Sequence, residues 1–292
     1  MLVHSQFLFS ENIIIYLQGL GNPFVDKLFF AITTAGGMSA YFALSSLIFW
    51  CFNKKTGIRS MYFILLLAFA AIFAKNLFDM ARPPEYLHMI QVNGTGFPSG
   101  HALVSAGFWV YLGTRVNNRY LIPAGAAMVF LVSLSRIYLG VHYAGDVVGG
   151  ILFGCLIALV FIKTEPGISK RMQSLGGRSK YFAAVIIPGI LIATATIQHS
   201  LLKEQIEIGT IMASIGVGYL LEEGHIRFED AINHKQRIKR AMIGAFLLSI
   251  TYLISKLFLI SQNIAFVDYI VLGLITTVIA PLAFTKVESH VK

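Results

Sequence analysis

A bundle of membrane-spanning α-helices, all-α and polytopic, is the fold class this sequence predicts, and three observations predict it. Apolar residues make up 56% of the 292-residue chain and charged residues only 13%, whereas a soluble globular chain carries roughly 45–50% and about 25%. The mean hydropathy is +0.72. The apolar residues also gather in about nine stretches, most of them long enough for the ~20 residues that a spanning helix needs.

The same composition excludes other classes. Leu, Ile, Val and Phe are too abundant for a disordered chain. The two cysteines, Cys51 and Cys155, sit in apolar runs and make no disulfide scaffold. The formal net charge of +9 does not imply a nucleic-acid partner. Nucleic-acid binders cluster Lys and Arg on one soluble face, whereas here they lie in short segments between apolar runs, where they set membrane orientation.

Taken in order, the stretches run at about 27–51, 60–80, 100–114, 120–139, 142–162, 181–200, 206–221, 241–260 and 265–284. The third is short and the seventh barely spans. Residues 1–24 mix Phe7, Leu8, Ile13, Ile14, Ile15, Tyr16 and Leu17 with polar residues and lack a basic leader, which is not a secretory signal. They predict an amphipathic helix lying in the membrane interface, ended by Gly19, Gly21, Asn22 and Pro23. The expected organisation is an amphipathic segment at 1–24, a catalytic bundle at 25–163, a cytoplasmic linker at 164–180, four further membrane helices at 181–285 and a cytoplasmic tail at 286–292.

Charge sets the orientation. Most of the 23 Lys and Arg fall on the side reached after the first stretch, including Lys54, Lys55, Arg59, Arg115, Arg119 and the basic residues of 163–180 and 227–240. The positive-inside rule therefore puts residues 52–59 in the cytoplasm and the 81–99 loop outside. Lys75, Arg82 and Arg136 lie on the outer side against this bias. Charges kept at membrane depth are costly and usually functional.

These three cations belong to three segments. Lys75-Asn-Leu-Phe-Asp-Met-Ala-Arg82-Pro83 carries two of them seven residues apart, predicting one helical face. Asp79 falls between them, where it would hold the two cations in place. Pro98-Ser99-Gly100-His101 opens the third helix, and Ser135-Arg136 leads through His142 to Asp146 between the fourth and fifth. All three segments are expected at the outer face. Two guanidinium forks and an ammonium match phosphate oxygens. Ser99 and Gly100, at a helix N-terminus, add free N–H groups and a favourable dipole. His142 and Asp146, four apart, can pair, so that the carboxylate fixes the imidazole tautomer and leaves the other nitrogen as a nucleophile. His101 is then the general acid on the leaving oxygen, and the cations stabilise the phosphoryl group in transfer.

Lys-x6-Arg-Pro, Pro-Ser-Gly-His and Ser-Arg-x5-His-x3-Asp match the three signature motifs of the type 2 phosphatidic acid phosphatase superfamily at every position. The resemblance covers about 60–163 and, more faintly, 22–59, where it is similar to the bacterial and sphingosine-phosphate-phosphatase-like branch. It implies that His142 forms a phosphohistidine oriented by Asp146, and that His101 protonates the departing alcohol and then activates water. It also implies that Lys75, Arg82, Ser99, Gly100 and Arg136 hold the phosphate, and that no metal or other cofactor takes part. A zinc site of His101, His142 and Asp146 is the competing reading of the same side chains, and three neighbouring cations oppose it. The expected protein is thus a lipid phosphate or lipid diphosphate phosphatase with its site on the extracytoplasmic or lumenal side, in a bacterial cell membrane or a eukaryotic endoplasmic reticulum. Undecaprenyl diphosphate, phosphatidic acid, phosphatidylglycerol phosphate and sphingosine phosphate all offer the group the motifs would hold. A phosphotransferase using the same site is the nearest rival. A lipid transporter is the rival from another class, although the two halves show no matched interrupted helices.

Overall fold

A computed structural model describes residues 7–196, 202–258 and 265–289. The ends of the expected segments at 1–6, 197–200, 259–260 and 290–292 lie outside the described residues. Among the described residues every regular element is helical, with no strand.

The helices in chain order are α1 (Asn12–Gly19), α2 (Pro23–Ala35), α3 (Met38–Cys51), α4 (Lys54–Phe78), α5 (Gly100–Arg115), α6 (Leu121–Tyr138) and α7 (Ala144–Ser174). They are followed by α8 (Gly177–Thr196), α9 (Leu202–Leu221), α10 (His234–Phe258), α11 (Ala265–Leu274) and α12 (Ala280–Ser289). One π-helical turn, Glu222–Ile226, follows α9, and another, Ile275–Ile279, joins α11 to α12. Each of the nine apolar stretches is therefore helical over most of its length. Among the described residues, five helical spans can cross a membrane by length and composition: Lys54–Phe78, Leu121–Tyr138, Ala144–Ser174, His234–Lys256 and Val267–Ser289. The count rises to six if α2 and α3, bent by 54°, make one span.

Two features go beyond the sequence expectation. The 164–180 segment is helical over most of its length: α7 runs through Pro166 to Ser174, and α8 begins at Gly177. The Lys75–Arg82 segment is not one helix. It ends at Phe78, and Asp79 takes the left-handed conformation (φ 45°), a form that closes helices. Pro83 and Pro84 follow, and a proline pushes the residue before it out of the helical region. Asp79 is exposed and terminates α4 instead of sitting between two cations on a helical face.

The chain divides into two compact units. The first comprises Met1–Ala43 and Leu66–Pro166. Its helices approach closely where side chains are absent. A Cβ on Gly150 would lie 2.5 Å from the Ser99 carbonyl oxygen, and one on Gly154 would lie 2.3 Å from that of Leu103. The Gly150-x3-Gly154 spacing thus seats α7 directly on α5, as small residues four apart allow. Tyr41 hydroxyl meets Ser105 Oγ at 2.6 Å and accepts from Trp109 Nε1 at 3.2 Å, which ties α3 to α5. Arg115 and Glu165 pair at the far ends of α5 and α7.

The second unit comprises Leu44–Leu65 and Gly167–Lys292. Its polar anchors are buried and paired. Arg240 donates to both carboxylate oxygens of Glu288 (2.8 and 3.0 Å) and to the carbonyls of Trp50 and Glu229 (3.0 and 2.7 Å). Its guanidinium also lies over the rings of Phe228 and Phe284. Lys54 pairs with Glu222, which is fully buried, and buried charges persist only when matched in this way.

Candidate active site

The three motif segments meet within the first unit. Asp146 stands at the third position of α7, where its Oδ2 accepts the backbone N–H of Tyr143 at 3.0 Å. This is the return bond of a capping box, with the carboxylate at the positive end of the helix. The same oxygen lies 3.2 Å from His142 Nδ1. The Asp146 carbonyl accepts from Ser99 N at 2.9 Å, so the second and third motifs are joined through the backbone. Both His142 and Asp146 are almost fully buried.

Arg82 brings in the first motif. Its Nη1 lies 3.1 Å from His142 Nε2 and donates to the Val141 carbonyl at 2.9 Å. Nε and Nη2 donate to the carbonyls of Gly94 and Asn93 at 2.9 and 3.1 Å. A guanidinium can only donate, so Nε2 of His142 is the unprotonated nitrogen and Nδ1 carries the hydrogen toward Asp146. The lone pair that a nucleophile needs is therefore on the nitrogen facing Arg82. Lys75, in the last turn of α4, donates to the carbonyls of Thr95 and Gly96 at 2.5 and 3.3 Å, and Thr95 Oγ1 returns a bond to the Lys75 carbonyl. Residues 93–96 thus form a strap whose carbonyls hold both cations.

Arg136 is buried near the end of α6 and donates from Nη1 to Thr33 Oγ1 on α2 at 2.7 Å, while its Nε has no partner. Ser99 Oγ and Asp146 Oδ1 are also buried without a partner. A buried polar atom left unpaired is costly, and the Ser99 hydroxyl and Arg136 Nε are a donor set that an anion would satisfy. Gly100 makes no tight packing demand: a Cβ there would meet only Ala71 at 3.9 Å. Ser99 as N-cap leaves the first N–H groups of α5 without helical partners. His101 is the second residue of α5, and among the described residues its ring makes no hydrogen bond.

Burial, with Arg136, Arg82, Lys75 and His101 nearby, holds the His142 imidazole well below the usual histidine range. It is therefore neutral where an imidazole in water would begin to protonate. Among the described residues no group of three or more His, Cys, Asp or Glu is arranged to hold a metal ion.

All eight site residues singled out in the sequence lie in this unit: Lys75 on α4, Arg82 in the loop after it, Ser99 at the N-cap of α5, Gly100 and His101 on α5, Arg136 on α6, His142 in the turn between α6 and α7, and Asp146 on α7. Two contributors had no sequence signal. Thr33 is one of two adjacent threonines in an apolar helix. The strap acts through backbone oxygens, which any residue carries.

Comparison with known proteins gives the same assignment to both halves. The PAP2 superfamily matches residues 57–169, and the transmembrane extension of PAP2 superfamily phosphatases matches 206–291. The chain is 31% identical over 116 residues to a lipid A 4'-phosphatase of Bacteroides thetaiotaomicron, covering 38% of this chain and 52% of that one. It is 30% identical over 130 residues to an undecaprenyl-diphosphatase of Sulfolobus acidocaldarius, covering 42% and 62%. The chain thus spans between half and two thirds of the length of these relatives. A crystal structure of a transmembrane PAP2 type phosphatidylglycerolphosphate phosphatase from Bacillus subtilis aligns with a TM-score of 0.47 at 21% identity, covering 57% of this chain and 87% of that one.

Proposed function

The chain belongs to the PAP2 superfamily, and we propose that it is an integral membrane phosphatase that removes phosphate from a lipid phosphate or lipid diphosphate. One observation carries the reading: His142 is held between Asp146 on Nδ1 and Arg82 on Nε2. In this reading His142 Nε2 attacks the terminal phosphorus, the bond to the leaving oxygen breaks (the lipid oxygen of a monophosphate, the bridging oxygen of a diphosphate), and that oxygen takes a proton from the His101 imidazolium. A water then gives a proton to His101 and its oxygen attacks phosphorus. The P–N bond breaks and phosphate leaves. Arg82 must release Nε2 as phosphate enters, and its freed N–H turns to a phosphate oxygen. Lys75, Arg136, Ser99 and the N-terminus of α5 around Gly100 share the negative charge. No step calls on a metal.

The lipid character of the substrate is supported by an apolar groove of about 660 Å³ along α5, α6 and α7, within the usual size of ligand sites. Trp109, Phe130, Leu134 and Ile137 line it, as does Val147, and the last two adjoin Arg136 and Asp146 in the chain. The same reading puts catalysis in 25–163 and assigns nine crossings with α1 at the interface. The site then faces away from the cytoplasm. The relatives, a lipid A 4'-phosphatase and an undecaprenyl-diphosphatase, name the first substrates to try.

Phosphate release by detergent-purified protein in EDTA tests the reading, against those two lipids, phosphatidic acid, phosphatidylglycerol phosphate, sphingosine phosphate and a soluble ester. Release from at least one lipid, abolished by His142→Ala and His101→Ala, is expected. Full release by His142→Ala would sink the mechanism. Release that depends on an added acceptor lipid would make the protein a transferase.

A further inference from the structure

The nucleophile of the proposed reaction sits on a short turn, Leu139–Tyr143, between α6 and α7, and the sequence of that turn does not explain how it is held. Gly140 has φ 73°, a conformation open to glycine. It also lets the turn lie flat on Leu87, because a Cβ at 140 would fall 1.9 Å from the Leu87 carbonyl oxygen. Met89 N donates to the Leu139 carbonyl at 3.0 Å, and Arg82 donates to that of Val141. The carbonyls of Tyr138 and Leu87 remain. Both are taken by one side chain: Gln18 Nε2 donates to each at 2.9 Å.

Gln18 lies on α1, well before residue 57, where the superfamily match begins. Its neighbours grip the same turn from both ends. Asp26 accepts from the Tyr138 hydroxyl at 2.5 Å, and Phe29 stacks on the Tyr138 ring at 4.3 Å. On the far side Phe9 packs edge-on against Tyr143 and fills the space over Gly145. Ile14, on the same helix, is fully buried.

We propose that Gln18 is a positioning residue: by bridging the Leu87 and Tyr138 carbonyls from α1 it fixes the turn that aims His142. The inference rests on His142 being the nucleophile, as proposed above. An amide NH₂ is the group this place requires, since two carbonyls converge on it and each must receive a hydrogen. A displacement of about 1 Å in a reacting group costs on the order of a hundredfold in rate, so loss of the bridge should reach kcat while leaving the phosphate cage, and hence KM, in place.

Gln18→Met keeps the side-chain length and removes both donors. Gln18→Glu, which accepts but does not donate when ionised, is the second variant, for use if the first fails to fold. Ile14→Ala, one turn earlier on α1, loosens the helix without touching either bond and is the control. Three quantities are read: kcat and KM for phosphate release, Tm, and backbone hydrogen exchange over 138–146. The expected result is a kcat lower by on the order of tenfold or more in the Gln18 variant, with KM within about twofold, and faster exchange over 138–146. Ile14→Ala should lose at least as much Tm with neither change. Wild-type kcat and exchange in the Gln18 variant, or the same kcat loss and exchange in Ile14→Ala, would overturn the proposal. Should the wild-type protein release no phosphate from any lipid, the assigned activity is what has failed. Exchange over 138–146 then decides the bridge alone.

Discussion

At the scale of single residues the proposed chemistry turns on the state of two groups. His142 must be neutral with its hydrogen on Nδ1, because Asp146 accepts there and Arg82 donates to Nε2. Burial and four cationic or titratable neighbours lower its pKa. The sign follows: lowering the pKa enlarges the pH range in which the nucleophile is neutral, and protonation begins only at acidity beyond the ordinary range. Nitrogen NMR of labelled ligand-free protein should therefore show the Nδ1–H tautomer persisting below about 6.5, the ordinary histidine value. A His142 midpoint at or above that value would contradict the electrostatics. Ser99 is the second group. Its hydroxyl is buried without a partner, so Ser99→Ala should leave Tm unchanged. If the hydroxyl binds phosphate, kcat/KM should fall by about tenfold or more, the worth of one hydrogen bond to a charged group. A Tm loss with unchanged kcat/KM would mean that the hydroxyl serves the fold.

At the scale of elements the close contact of α5 and α7 matters most, because it brings Pro98-Ser99-Gly100-His101 to Asp146. Gly154 lies so near the Leu103 carbonyl that Gly154→Ala should destabilise by about 1–3 kcal/mol, the usual cost of overpacking. Thermal unfolding of the variant checks this, and an unchanged Tm would show that the helices can part without penalty. Elements also show what the sequence could reveal. Long apolar runs announced α4, α6 and α7, since burial in lipid selects nothing but apolarity and length. The motif spacing announced which residues gather, because Lys75, His101 and His142 are chemically distinctive. The end of α4 at Phe78 was hidden: seven residues between two cations suit a helix, and only the left-handed turn at Asp79 and the prolines beyond it reveal the break. The bend between α2 and α3 was hidden as well, within a single apolar run around Gly36 and Gly37. The strap at 93–96 and the Gln18 bridge left no trace, because they work through backbone carbonyls that every sequence has.

At the scale of the whole molecule the proposed enzyme carries its site on the side away from the cytoplasm. Orientation is testable without activity. In a background lacking Cys51 and Cys155, cysteines placed at the exposed positions Glu85 and Asn117 should differ in intact cells. An impermeant thiol reagent should label position 85 and spare 117, as the distribution of Lys and Arg requires. The opposite pattern would turn the protein over and move the site to the cytoplasm. The central claim, however, is that His142 takes up the phosphoryl group, and one measurement addresses it directly. Purified protein is mixed with the preferred lipid labelled in its terminal phosphate, quenched within a turnover in alkali, where phosphohistidine survives, and mapped by peptide. Label is expected on the peptide carrying His142, lost on acid treatment and absent from His142→Ala. Turnover with no protein-bound label at any time, or label that persists in His142→Ala, would contradict it.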